Sequence, residues 1–193
     1  MPRKLSRAAV LDALAEFEPL SAAVSRFPGA QKADLLEALG WSPPPAPSRS
    51  APRSEGPAGN DALILHTDGA SRGNPGPASI GVLISNRAGA VVDEVAETIG
   101  VRTNNYAEYA AVIRGLERAL ELGAKSAHVR ADSQLVVRQL QGTYQVKNEG
   151  IKPLFKMAKY LEAKFERGVT YEHIRREQNV EADALANLAL DRE

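Results

Sequence analysis

HTDGASRGNPGP, residues 66–77, decides how this chain is read. Residues 62–67 (ALILHT) form a short apolar run with the length of a buried strand, and residues 78–85 (ASIGVLIS) form a second. An Asp-Gly pair between two strands ordinarily marks a two-residue hairpin turn. Here the connection is about ten residues long and rich in Gly and Pro. Such a loop lets backbone approach a ligand closely, and it places Asp68 directly after the first strand.

Downstream, residues 90–99 (AVVDEVAETI) read as a third strand behind an Arg87–Ala88–Gly89 turn. From Asn104 to Leu122 the spacing of Tyr109, Val112, Leu116 and Leu120 predicts a helix, with Gly123 as its C-cap. Residues 126–131 follow as a strand, then a helix from about Ser133 to Leu140. A longer helix is expected from near Pro153 to about Arg167. Residues 169–174 make the last strand, and 180–190 a closing helix capped by Asn179. The order βββαβααβα predicts an α/β fold, a mixed sheet with a meander edge and right-handed crossovers.

Upstream the composition changes at Trp41. Residues 42–60 (SPPPAPSRSAPRSEGPAGN) are dense in Pro, Ser, Gly and Ala and read as a partly stiff linker. Residues 1–41 show helical spacing in two or three short pieces and read as a small helical module. Over residues 1–60, seven Lys or Arg stand against six Asp or Glu, so there is no polybasic arm. A nucleic acid and a protein both stay open as partners of that module. The remainder, 61–193, is the candidate catalytic domain. Acids interrupt the apolar stretch at the N-terminus, so it does not read as a signal peptide, and no membrane span is expected; a cytoplasmic location follows as the expectation. With no cysteine and three histidines, thiolate sites are excluded and any metal must rest mainly on oxygen.

Four acids fall at element ends. Asp68 follows the first strand, Glu108 lies in the first turn of a helix, Asp132 stands where the fourth strand gives way to a helix, and Asp183 sits about one turn into the last helix. Each alone has an ordinary job as a turn residue, a helix cap or a partner of the helix dipole. In open α/β sheets, however, the carboxyl ends of parallel strands converge on one crevice. Four carboxylates crowded there repel one another unless cations neutralise them, and two divalent ions bridging a phosphate would do so.

The segments TDGASRGNPGPASIG, TNNYAEYAAV, RADSQLVVRQ and NVEADALAN resemble, in order and spacing, the four signature segments of ribonuclease H type 1. The resemblance covers essentially all of residues 61–190. It implies a five-stranded mixed sheet flanked by helices, and hydrolysis of the RNA strand of an RNA–DNA hybrid to give 5′-phosphate and 3′-hydroxyl ends. It implies two Mg²⁺ or Mn²⁺ ions, with the family's acidic quartet falling on Asp68, Glu108, Asp132 and Asp183. Contacts to RNA 2′-hydroxyls map onto Ser71, Asn74, Asn104 and Gln134. Thr103 and Asn105 match positions near the DNA strand, Thr103 at a DNA phosphate. Another metal nuclease on the same sheet, and a non-catalytic hybrid-binding module, stay open as alternatives.

The chain departs from the family pattern in two places. The loop histidine that many members carry before the last helix aligns with Glu177, while His173 lies in the preceding strand; Arg175, Arg176 or Glu177 are left to take over part of its role. Between Leu140 and Pro153 there is no room for an inserted basic helix. With zero net charge overall, hybrid binding then needs a local basic surface, for which Lys152, Lys156 and Lys159 on one helix face, with Lys147 before them, are the candidates.

Overall fold

The computed structural model describes residues 61–192. The helical module expected over 1–41 and the linker over 42–60 lie outside them. The elements are β1 (Ala62–Ser71), β2 (Gly76–Asn86), β3 (Val91–Arg102), α1 (Asn104–Glu121), β4 (Ser126–Ala131), α2 (Gln134–Leu140), α3 (Lys152–Glu162), β5 (Val169–His173) and α4 (Val180–Asp191). A single 3₁₀ turn, Arg176–Gln178, precedes α4. The five strands form one sheet in the order β3-β2-β1-β4-β5. The β1–β2 and β2–β3 pairs are antiparallel, and the β1–β4 and β4–β5 pairs are parallel. This is the expected α/β fold with its mixed sheet and flanking helices.

The core follows from alternation along the strands. Leu63 and Leu65 of β1, Val82 and Ile84 of β2 and Val129 of β4 are all buried. Tyr109, Val112 and Leu116 of α1 join the same core. Tyr109 keeps its hydroxyl satisfied by donating to Gln139 Oε1 at 2.8 Å. On the edge strand β5, the Tyr171 carbonyl accepts from the Gln141 side chain at 2.8 Å.

Several boundaries differ from expectation. β1 does not stop at Thr67, because its antiparallel ladder with β2 continues to Ser71↔Ala78 while its parallel ladder with β4 ends at Thr67↔Ala131. Asp68 therefore lies inside β1, opposite Gly81, and the connection to β2 is only residues 72–75. Gly69, one of the glycines that suggest a loop, serves close packing instead, as does Gly81 within β2. A Cβ on Gly69 would stand 2.2 Å from the Ala107 carbonyl carbon and the Glu108 nitrogen of α1. One on Gly81 would stand 2.1 Å from the Ala182 oxygen of α4. Gly69 and Gly81 occupy alternate positions of the pleat, so α1 and α4 clasp opposite faces of the sheet. A further difference is α3, which ends at Glu162, because the chain must turn there to seat buried Phe165 and to bond Arg167 N–H to the Lys125 carbonyl at 2.8 Å.

Gly69→Ala should consequently force α1 off the sheet. We expect a loss of about 3 kcal/mol or more, read from the denaturant midpoint. A midpoint within error of the unaltered protein would contradict this packing.

Candidate active site

The fork between β1 and β4 creates the site. Beyond Thr67 and Ala131 the two parallel strands cease to pair, and the next residue of each is an aspartate, Asp68 and Asp132. The close approach at Gly69 brings α1 alongside, and with it Glu108. One carboxylate oxygen from each of Asp68, Glu108 and Asp132 lies within 4.8 Å of the others. Asp68 and Glu108 are only 6% and 8% exposed, which places two carboxylates where water can scarcely screen them.

The ordinary explanations for these acids fail on the geometry. Ser133, not Asp132, holds the N-cap position of α2. Glu108 is the fifth residue of α1, past its first turn, so the helix dipole has little hold on it. Burial, followed by the charges of Asp132 and Asp183, pushes the Asp68 carboxyl up to about 7, with Arg176 opposing. Glu108 is pushed well above the usual carboxylate range by burial and then by Asp68 and Asp132, while a hydrogen bond from the Gly69 N–H pulls the other way. The fold thus holds acids where, without a cation, they resist ionisation. An all-oxygen donor set of this kind fits a hard divalent ion such as Mg²⁺ or Mn²⁺.

Asp183 stands outside this trio. It lies in the first turn of α4, where its Oδ1 accepts from Arg176 Nη2 at 2.7 Å and its Oδ2 from Asn187 Nδ2 at 3.0 Å. Its charge still acts on Asp68, so it is close to the cluster without closing it. Arg176 occupies the loop position beside the acids. Glu177, aligned with the family's histidine, is exposed in the 3₁₀ turn, and His173 is exposed at the end of β5.

Most of the polar residues assigned to substrate collect at one corner, where the β1–β2 connection meets the start of α1. Asn74 Oδ1 accepts from the Asn104 N–H at 3.2 Å. Ser71 donates to the Gly73 carbonyl. Thr103 caps α1, its Oγ1 accepting from the Tyr106 N–H at 3.3 Å, and half-buried Asn105 follows within the first turn. Gln134 is exposed at the start of α2, two residues beyond Asp132. Two of the lysines on α3 are engaged, Lys152 with Glu149 at 2.6 Å and Lys159 with Glu162 at 2.6 Å. An open concavity lined by Asp61, Arg87, His128 and Arg167 lies at the opposite end of β1 and shares no residue with the acids.

One residue near the acids escaped the sequence reading. Asn179, expected to cap the last helix, makes no side-chain cap bond; it is fully buried and its amide reaches Asp132. A helix-start Asn carries no sequence signal that separates these two uses.

Comparison with known proteins agrees with the geometry. A family model described as reverse transcriptase-like matches residues 66–189. A bifunctional protein of Mycobacterium tuberculosis is 42% identical over 130 residues, covering 67% of this chain and 35% of its own length. The chain therefore spans about a third of that relative. RNase H1 from the halophilic archaeon Halobacterium salinarum superposes with a TM-score of 0.67 at 41% identity, over 68% of this chain and 99% of that one. An RNase H1 isolated from compost, crystallised with an RNA/DNA hybrid, gives 0.65 at 42% identity over 67% and 97%. With a family model matching residues 66–189 and an RNase H1 structure matched at 41% identity over 99% of its length, the chain belongs to the ribonuclease H type 1 family.

Proposed function

We propose that this protein is a divalent-metal-dependent endoribonuclease that hydrolyses the RNA strand of RNA–DNA hybrids, leaving 5′-phosphate and 3′-hydroxyl ends. The observation that carries the reading is the convergence of buried Asp68 and Glu108 with Asp132 within 4.8 Å. In this reading Asp68, Glu108, Asp132 and Asp183 hold two Mg²⁺ or Mn²⁺ ions. When bound, such ions supply an activated water and stabilise the leaving 3′-oxygen. Asp183, whose Oδ1 accepts from Arg176 Nη2 at 2.7 Å, would complete the ligand set by giving up that bond.

Ser71, Asn74, Asn104 and Gln134 then bind 2′-hydroxyls, since amide and hydroxyl groups can both donate and accept. Thr103 and Asn105 serve the DNA strand. This polar corner favours a hybrid substrate over the alternative of a metal nuclease acting on DNA alone, for which 2′-hydroxyl contacts have no use. A non-catalytic binding module is disfavoured because two buried carboxylates are costly to keep without a cation. The compost enzyme's complex with a hybrid supports the same substrate class. Residues 1–41 are proposed as an attached module whose partner is a nucleic acid or a protein. A cytoplasmic setting is part of the same proposal; among the described residues no helix is long and apolar enough to cross a membrane.

The test is a labelled RNA–DNA hybrid incubated with Mg²⁺ and then Mn²⁺, beside single-stranded and double-stranded RNA. We expect internal cuts in the hybrid's RNA that require the ion and are abolished by chelation. Hybrid left intact with both ions would overturn the reading.

A further inference from the structure

Asn179 stands at the N-cap of α4 and caps nothing. Its side chain is 0% exposed, and its Nδ2 donates to the Thr67 carbonyl at 3.0 Å and to Asp132 Oδ1 at 3.2 Å. A side-chain amide has two protons, so both are committed. Its Oδ1 is buried without a partner. The residue thus forgoes the capping bond that Asn commonly supplies and leaves a carbonyl oxygen unpaired, both unfavourable.

What those two donated bonds do is defined by where they land. Thr67 is the last β1 residue in the parallel ladder, and Asp132 is the first residue beyond β4. The amide therefore straps the fork from within, tying the backbone just before Asp68 to the carboxylate of Asp132. It does so without charge. A Lys or Arg in its place would also satisfy Asp132, but it would neutralise the cluster and repel a divalent ion. A neutral donor orients the carboxylate and leaves its charge for the cation, as partners behind metal ligands commonly do.

We propose that Asn179 is a positioning residue that fixes the Asp132 carboxylate against Asp68 and so preforms the divalent-ion site. The inference rests on the proposed reading of Asp132 as a metal ligand, and the experiment separates the two. Mn²⁺ binding is followed by loss of its free-ion electron paramagnetic resonance signal in the full chain, Asn179→Ala and Ser79→Ala. Ser79 supplies the control, because it ties α4 to the sheet through a 2.6 Å bond to the Ala186 carbonyl without touching the acids.

We expect Asn179→Ala to bind Mn²⁺ about 10- to 100-fold more weakly, and Ser79→Ala to bind it within about twofold of the unaltered protein. Equal affinity in Asn179→Ala, or an equal loss in Ser79→Ala, would overturn the proposal while leaving the metal reading intact. No Mn²⁺ binding by the unaltered chain would remove both. Should Asn179→Ala not fold, the unaltered chain still decides: its Asn179 side-chain amide resonances should exchange slowly with solvent and shift on adding Mg²⁺, and resonances indifferent to the ion would contradict the role.

Discussion

Asp68→Asn is expected to lower hybrid cleavage about a thousandfold or more while making the metal-free protein harder to unfold. The first effect follows because an amide is a poor ligand for a hard cation, and loss of an ion that contributes several kcal/mol to the transition state costs about that factor. The second follows from the same carboxylate. Asp68 ionises at about 7 in the folded protein against 3.8 for an ordinary aspartate, so at pH 8 folding works against its charge by on the order of 4 kcal/mol. An amide of the same shape carries no such penalty. Urea unfolding in EDTA at pH 8 should show the variant more stable by a few kcal/mol, and the gap should nearly close near pH 4, where the folded carboxyl is protonated. A variant that is less stable at pH 8, or that still cuts hybrid at the original rate, would refute the assignment of Asp68.

The second large effect is a reversal of pH dependence by the ion. A carboxyl whose folded pKa lies above its unfolded one makes the folded state the stronger proton binder, so stability from this group is present at low pH. It is lost as pH rises from about 4 to about 7 for Asp68, and Glu108 is shifted in the same direction. Divalent ions bind only the ionised carboxylates of the folded chain and so stabilise most where protons no longer compete. Measured as the difference between the unaltered protein and Asp68→Asn, thermal midpoints in EDTA should fall by roughly 10 °C between pH 5 and pH 8. Millimolar Mn²⁺ should raise the midpoint of the unaltered protein far more at pH 8 than at pH 5. Equal shifts at the two pH values would show that the ion does not act through this cluster.

The order of elements was legible because apolar periodicity sets it, and Gly123 ended its helix where expected. What the sequence could not reveal was backbone proximity. Gly69 looks like a loop residue in one dimension, whereas in three it is the place where a helix touches a strand, so the sequence reading of β1 stops four residues short. Three of the four acids were brought together as anticipated. Asp183 was set apart by Arg176, a pairing that depends on the pitch of the 3₁₀ turn and has no counterpart in spacing. Asn179 was misread for a related reason, since burial alone decides whether a helix-start amide faces its own helix or the strands beneath.

The bond from Gln141 to the Tyr171 carbonyl bears on how the molecule behaves at high concentration. β5 closes one side of the sheet, and an outermost strand with unclaimed backbone groups is a template on which a second chain can add. Here a neighbouring side chain already occupies one of those acceptors, and the strand is just five residues long with Thr170 and Glu172 exposed along it. An incoming strand would have to displace Gln141 and desolvate Glu172 to gain a short ladder, so this edge of the sheet is guarded against strand addition by residues that take no part in its chemistry.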